Sequence, residues 1–162
     1  GTLLVAATDR GVCAVKLGDD ARSLETLLER EYPAATRTRV AGPSSALGKW
    51  VENIIALVEG ESLHAETPID VQASAFQWKV WRELQKIPFG ETRTYTEIAT
   101  AIGSPRAVRA VASACANNRV AVVIPCHRVV RTGGGLGGYR WGLERKRHLI
   151  EKERSAREGG TS

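Results

Sequence analysis

Residues 120–128 read VAVVIPCHR, an apolar run closed by a proline and followed directly by Cys126, His127 and Arg128. A cysteine reacts as its thiolate, and a free thiol with a pKa of about 8.5 is only a few per cent ionised at neutral pH. Burial alone would raise that value and silence the sulfur. A reactive Cys126 therefore needs a base or a cationic setting. His127 offers the base, directly or through a water, and Arg128 and Arg131 add positive potential. A carboxylate should then orient the imidazole, as in other nucleophile–base pairs. The segment WGLERKRHLIEKER, residues 141–154, supplies Glu144, Glu151 and Glu153 for that role. The plain alternative is an inert core cysteine, because neighbours on an extended strand face opposite ways.

The other sulfurs and imidazoles do not suggest metal chemistry. Cys13, Cys115 and Cys126 lie far apart without a CxxC pair, and His64, His127 and His148 lack ligand spacing. Three scattered cysteines argue against a disulfide framework and fit a reducing compartment. No metal and no cofactor is expected.

The elements that must position Cys126 lie just upstream. Phe76, Val80, Trp81 and Leu84 share one face of a helix that ends before Pro88-Phe89-Gly90. A second short helix starts at Thr94 and carries Ile98, Ala101 and Ile102. After the turn Gly103-Ser104-Pro105, a third runs from about Arg106 to Asn117. Two helices joined by a tight glycine-containing turn form a helix-turn-helix pattern. In the third helix Val108, Val111, Ala112 and Cys115 recur at core spacing, so Cys115 reads as a packing residue. That phase leaves Arg109, Ala110, Ser113, Ala114 and Asn117 facing outward. Solvated faces normally carry Lys and Glu. A face of alanine and serine with one arginine suits close approach to another surface, either a nucleic-acid groove or another part of the protein.

The first half reads as scaffold. TLLVAAT and GVCAVKL flank a turn at Asp9-Arg10-Gly11 and predict a β-hairpin. Asp19-Asp20 open a helix that Pro33 stops, and Leu47, Trp50, Val51, Ile54, Ile55 and Val58 predict an amphipathic core helix over 45–58.

The 162 residues suffice for a sizeable core, with 43% apolar and 25% charged side chains. No run approaches the roughly 20 apolar residues that span a bilayer, and no secretory signal is read. A cytoplasmic protein is therefore expected. Beginning at Gly1 rather than Met suggests an excised piece, so a neighbouring domain is possible. The net charge of +5 hides an asymmetry: residues 1–78 hold 7 Lys/Arg against 11 Asp/Glu, and residues 79–162 hold 16 against 7. Twelve of those 16 cations are Arg, whose planar fork suits phosphate. The second half therefore predicts a polyanionic partner.

The string IPCHRVV, with RAVRAVASACA before it and GGYRWGLERK after it, closely resembles the O6-alkylguanine-DNA alkyltransferase family, the methylated-DNA–protein-cysteine methyltransferases, and most closely the C-terminal half of its bacterial Ada-type members. The resemblance is strong over about Phe76–Leu149 and weak through RGVCAVKLGDD. It implies an α/β N-terminal subdomain, a small antiparallel sheet with helices, over residues 1–73. A mainly α C-terminal domain with a winged-helix-like helix-turn-helix would then span residues 74–162. It implies irreversible, stoichiometric transfer of a methyl or other alkyl group from O6-alkylguanine, and from O4-alkylthymine, in duplex DNA to Cys126. No cofactor takes part, and a monomer is expected.

By the same resemblance His127 is the base through a bridging water, and Glu153, or less well Glu151, orients it. Asn118 is a hinge between the recognition helix and the active-site loop. Arg109 fills the hole left by a flipped nucleotide, and Tyr95 pushes that nucleotide out and protonates the leaving guanine. Ala110, Ser113, Ala114, Arg106 and Arg128 complete the DNA contact. Tyr139, Arg140, Trp141 and the backbone at Val129 line the guanine pocket, with Gly133-Gly134-Gly135 and Gly137-Gly138 letting the backbone pass close to the base. Trp141 adds bulk, which predicts a preference for methyl over benzyl-sized groups. Two rivals stand beside this reading: a non-catalytic helix-turn-helix binding or regulatory module, and a thiol hydrolase that uses the same Cys-His pairing but turns over.

Overall fold

Thr2–Thr8 (β1) and Gly11–Gly18 (β2) pair antiparallel in the register Thr8↔Gly11 to Thr2↔Gly18, so Asp9 and Arg10 alone make the turn. A bulge at Ala6/Ala7 interrupts the ladder. The computed structural model describes residues 1–40, 45–61 and 67–159; His64 lies outside them. Ala21–Glu31 (α1) follows, with the Asp20 carboxylate accepting from the Ser23 amide, and then Ala46–Val58 (α2), capped by Ser45. These caps satisfy amide donors that the first helical turn leaves unpaired. In α2 the buried residues are Ile54 and Leu57, whereas Ile55, expected in the core, is exposed.

The second half opens with Ala75–Gln85 (α3). Ser74 and Gln77 form a reciprocal capping box at its start, and Val80, Trp81 and Leu84 are buried as their spacing predicts. Arg93–Thr94 (β3) leads directly into Tyr95–Ala101 (α4), capped by the Thr94 hydroxyl. In α4 Ile98 and Ala99 are buried and Ile102 follows them into the core, whereas Ala101 is exposed. Val108–Ala116 (α5) starts two residues later than expected, because the Ala107 amide is held in a turn by the Ser104 carbonyl at 2.8 Å. Helix α5 packs against both α3 and α4. Val129–Val130 (β4) pairs parallel with β3, and Leu143–Gly159 (α6) ends the described chain.

One apolar core joins the halves: Val12, Val15, Leu24 and Ile54 belong to the same buried cluster as Val80, Trp81, Leu84, Val111 and Val129. Along its free side β2 is stitched first to the segment that leads into the second half and then to the second half itself. The Val12 amide donates to the Pro68 carbonyl (2.8 Å) and the Val15 amide to the Arg119 carbonyl (2.9 Å). The hairpin therefore abuts the segment that carries Cys126.

Candidate active site

That segment is not the strand its β-branched composition suggests. The Val123 amide bonds back to the Ala121 carbonyl (2.8 Å) with Val122 at φ 70°, and the Cys126 amide bonds back to the Ile124 carbonyl (2.8 Å) with Pro125 at φ −82°, ψ 61°. These are two successive three-residue γ-turns. Proline's ring fixes φ near the second turn's requirement, whereas a β-branched residue at positive φ is strained. The chain then coils into a single 3-10 turn, Cys126–Arg128.

Asn118 holds this bend. Its Nδ2 donates to the Ile124 carbonyl (2.8 Å) and to Cys126 Sγ (3.2 Å), and its Oδ1 accepts from the Val120 amide (2.9 Å). It is buried at the C-terminal end of α5, so the helix and the Cys126 turn share one rigid joint.

His127 is fully buried, and its Nε2 lies 2.7 Å from Glu153 Oε1 on α6. Of the three candidate carboxylates the structure brings Glu153 to the imidazole. Arg128 reaches the same carboxylate, donating from Nε to Oε2 (2.8 Å) and from Nη2 to Oε1 (2.9 Å), while its Nη1 donates to the Ile87 carbonyl (3.0 Å). Burial works to raise the Glu153 pKa, but the hydrogen bonds from His127 and Arg128 outweigh it and hold the carboxyl at about 2. An ionised Glu153 only accepts, so Nε2 carries the proton and Nδ1 is the bare, basic nitrogen. Burial lowers the His127 pKa despite Glu153, so the ring is neutral at pH 7. Nδ1 is buried with no hydrogen-bond partner among the described residues. Arg128, expected to touch DNA, is instead buried with its guanidinium committed to Glu153 and Ile87.

Cys126 is itself buried, which pushes its thiol pKa up, while the Asn118 amide and the Lys146 ammonium pull against that rise. Lys146 had no place in the sequence reading. It lies inside the fold, donating to the Gly138 carbonyl (3.1 Å) and the Tyr95 hydroxyl (3.4 Å). Burial lowers its pKa to about 8, against the pull of the two nearby thiols, Cys126 and Cys115. The signal was present in α6: Lys146, Leu149, Ile150 and Glu153 recur at i, i+3, i+4 and i+7, one buried face. Burial raises the Tyr95 pKa to about 12, so it stays a proton donor. A Cβ on Gly137 would lie 2.8 Å from the Tyr95 ring, and φ is 72° there, so glycine lets the loop close onto Tyr95.

Tyr139 is half-buried, and its hydroxyl lacks a hydrogen-bond partner among the described residues. Burial drives its pKa up, and the Cys126 charge adds to the rise. Val129 and Trp141 are buried, and Arg140 turns to Glu31 of α1. On the outer face of α5, Arg109, Ala110, Ser113 and Asn117 are exposed as expected, and Arg106 is exposed in the turn before it. Ala114 is not: it is buried against α3, its carbonyl accepting from Trp81 Nε1 at 2.9 Å. Contact with both α3 and α4 widens the buried arc of α5, and Ala116 takes Ala114's place outside.

Such a site can deprotonate a thiol with a neutral imidazole and hold the thiolate beside a cation. Comparison with known proteins shows the family. The sequence model described as 6-O-methylguanine DNA methyltransferase, DNA binding domain, matches residues 75–155. The bifunctional transcriptional activator/DNA repair enzyme Ada of Escherichia coli is 46% identical over 153 residues, 94% of this chain but 42% of its own length. This chain therefore spans less than half of that relative. The methylated-DNA–protein-cysteine methyltransferase of Mycobacterium bovis is 41% identical over 129 residues, 80% of this chain and 78% of its own. The crystal structure of Mycobacterium tuberculosis OGT in complex with DNA superposes with a TM-score of 0.76 at 34% identity, covering 95% of this chain and 87% of that one. A match over half the chain, and identity this high to a relative of similar length, make this protein a member of the 6-O-methylguanine DNA methyltransferase family.

Proposed function

We propose that this protein reverses alkylation damage directly, moving the alkyl group of O6-alkylguanine, and of O4-alkylthymine, from duplex DNA onto Cys126 in one irreversible event. The observation that carries the reading is the buried relay in which Glu153, paired with Arg128, fixes His127 as a neutral base with Nδ1 bare. His127 takes the Cys126 proton through one water, and the thiolate forms beside Lys146. Sulfur attacks the alkyl carbon in line, the S–C bond forms, and the C–O6 bond breaks with its electron pair leaving on guanine. Tyr95 gives that guanine a proton, and Lys146, already bonded to the Tyr95 hydroxyl, stabilises the resulting phenolate. Tyr139, Arg140, Trp141 and the backbone at Val129 would form the guanine pocket. The product is a thioether, without a bond that water readily cleaves, so each molecule acts once.

The helices α4 and α5 would enter the minor groove as a winged-helix-like unit. That groove is about 6 Å wide, and Ala110, Ser113 and Ala116 are small enough for it. Arg109 would take the place of the extruded nucleotide. Unstacking costs a few kcal/mol, and contacts from Arg106 and its neighbours to phosphates would offset it without sequence preference. Residues 1–73 would then be the supporting subdomain and residues 74–162 the DNA-binding and alkyl-accepting one.

The test is mass spectrometry after incubation with duplex carrying O6-methylguanine. One methyl mass on the Cys126 peptide, a burst equal to the protein present, and no transfer by Cys126→Ala are expected. Continued turnover would favour a thiol hydrolase, and binding without a mass shift a non-catalytic module.

A further inference from the structure

Trp141 sits in an ionic cradle supplied by the N-terminal half. Arg140 before it pairs with Glu31 of α1, and its guanidinium lies 4.7 Å from the Trp141 ring centroid. Glu31 also accepts from Lys16 of β2 at 2.5 Å, and the Lys16 ammonium lies 5.6 Å from the same ring. Behind Trp141, Arg145 donates to the Trp141 carbonyl (3.1 Å) and to Asp19 (2.5 Å). Lys16 is buried completely and Glu31 is largely covered. Two carboxylates of the first half thus fix the cations that meet Trp141 of the second, Glu31 the two near its ring and Asp19 the one on its carbonyl.

Burial works to raise the Glu31 pKa, but hydrogen bonds from Arg140 and Lys16 outweigh it, so the carboxylate is charged at neutral pH. A buried ion pair of this kind is seldom a large net source of stability, because desolvation offsets most of the attraction. What it does provide is a fixed geometry. Arg140 is held near the indole while its guanidinium is paired with Glu31. Trp141 and Cys126 belong to one buried cluster, Tyr139 packs against it, and the Gly138 carbonyl just before Tyr139 accepts from Lys146. The position of the Tyr139–Trp141 wall is therefore set from outside the DNA-binding half.

We propose that Glu31 is a specificity-determining positioning residue: by clamping Arg140 onto Trp141 it fixes the pocket wall and sets the largest alkyl group that can reach Cys126. This rests on the alkyl-transfer reading above. Releasing the clamp lets the indole move outward and admits larger groups.

The test compares transfer rates from duplexes carrying O6-methylguanine and O6-benzylguanine, measured at saturating DNA. Glu31→Leu alone would strand a buried Lys16 charge and could unfold the protein. The informative variant is therefore Lys16→Leu with Glu31→Leu, which removes both charges together, and its control is Lys16→Leu, which keeps the Glu31–Arg140 pair. The wild type and the control should both favour methyl. The double variant should raise the benzyl-to-methyl ratio by about tenfold, the scale on which apolar pockets discriminate by size, with DNA affinity changed by less than about twofold. An unchanged ratio in a folded double variant, or a ratio that rises equally in the control, overturns the proposal. A fall of both rates in proportion also overturns it, since that is what a merely structural role produces. If the wild type transfers neither group, it is the alkyl-transfer reading that fails.

Discussion

Lys146 is the residue whose charge most depends on its surroundings. With a pKa of about 8 it is mostly protonated at pH 7 and mostly neutral at pH 9. On the proposed mechanism the His127 base is lost by protonation only below its ordinary value of 6.5, because burial lowers its pKa. Transfer should therefore fall only in acid, at a pH below the ordinary imidazole value of 6.5, hold level near neutrality, and fall again above about 8 as Lys146 loses its proton. Lys146→Met should lower the plateau about tenfold, the effect of a thiol pKa moved by one unit, and abolish the alkaline limb. Single-turnover rates between pH 5.5 and 9.5 check this, and an alkaline limb that survives the substitution contradicts it. At this scale the proposed nucleophile and base were legible because catalysis by a thiol demands those types together, whereas the residue types alone left three carboxylates open until the fold brought Glu153 to His127. Lys146 was hidden by its charge: between Arg145 and Arg147 it reads as one more solvated cation, and only the helical phase with Leu149 and Glu153 buries it. Arg128 failed in the opposite sense, since a cation beside a nucleophile reads as a DNA contact until its carboxylate partner is found on α6.

Helices α3, α4 and α5 were legible from apolar spacing, capping residues and the Gly103 turn, and their order matches the expectation closely. What spacing could not give was the width of the buried arc on α5. Packing against one neighbour would leave Ala114 outside; packing against two buries it. The distinction is measurable. Ala110→Leu adds bulk to the exposed face and should weaken DNA binding at least tenfold with little change in thermal midpoint. Ala114→Leu instead forces a larger side chain into a filled core, at a cost of about 1–3 kcal/mol, and should lower the midpoint by several degrees. Fluorescence anisotropy with duplex DNA and thermal unfolding, run on both variants, separate the two faces. Equal losses of affinity at equal stability would mean that Ala114 also reaches DNA. The segment 120–125 was illegible for a different reason: its composition favours a strand, and only the tertiary grip of Asn118 and the proline turn it into two tight reversals.

The whole molecule distributes its charge less simply than the excess of arginine in its second half implies. Arg140 pairs with Glu31, Arg145 with Asp19 and Lys152 with Glu59, so cations of the basic half are neutralised by carboxylates of the acidic one. Part of the asymmetry is internal adhesion between halves that already share one core. The cations left for a polyanion are the exposed ones without a carboxylate, and Arg106 and Arg109 at the start of α5 make no ion pair among the described residues. If Arg106 meets a phosphate, binding it releases a condensed counterion, and the logarithm of affinity falls with the logarithm of salt by about 0.9 for each phosphate so neutralised. Arg106→Ala should therefore reduce that slope by about one and weaken binding evenly across sequences. Lys152→Ala, which removes a cation already committed to Glu59, should leave the slope where it was. Titrations from 50 to 200 mM salt, a span over which such contacts dominate affinity, decide it. A slope lowered equally by both substitutions would mean that net charge alone, rather than a local phosphate contact beside α5, draws the protein to DNA.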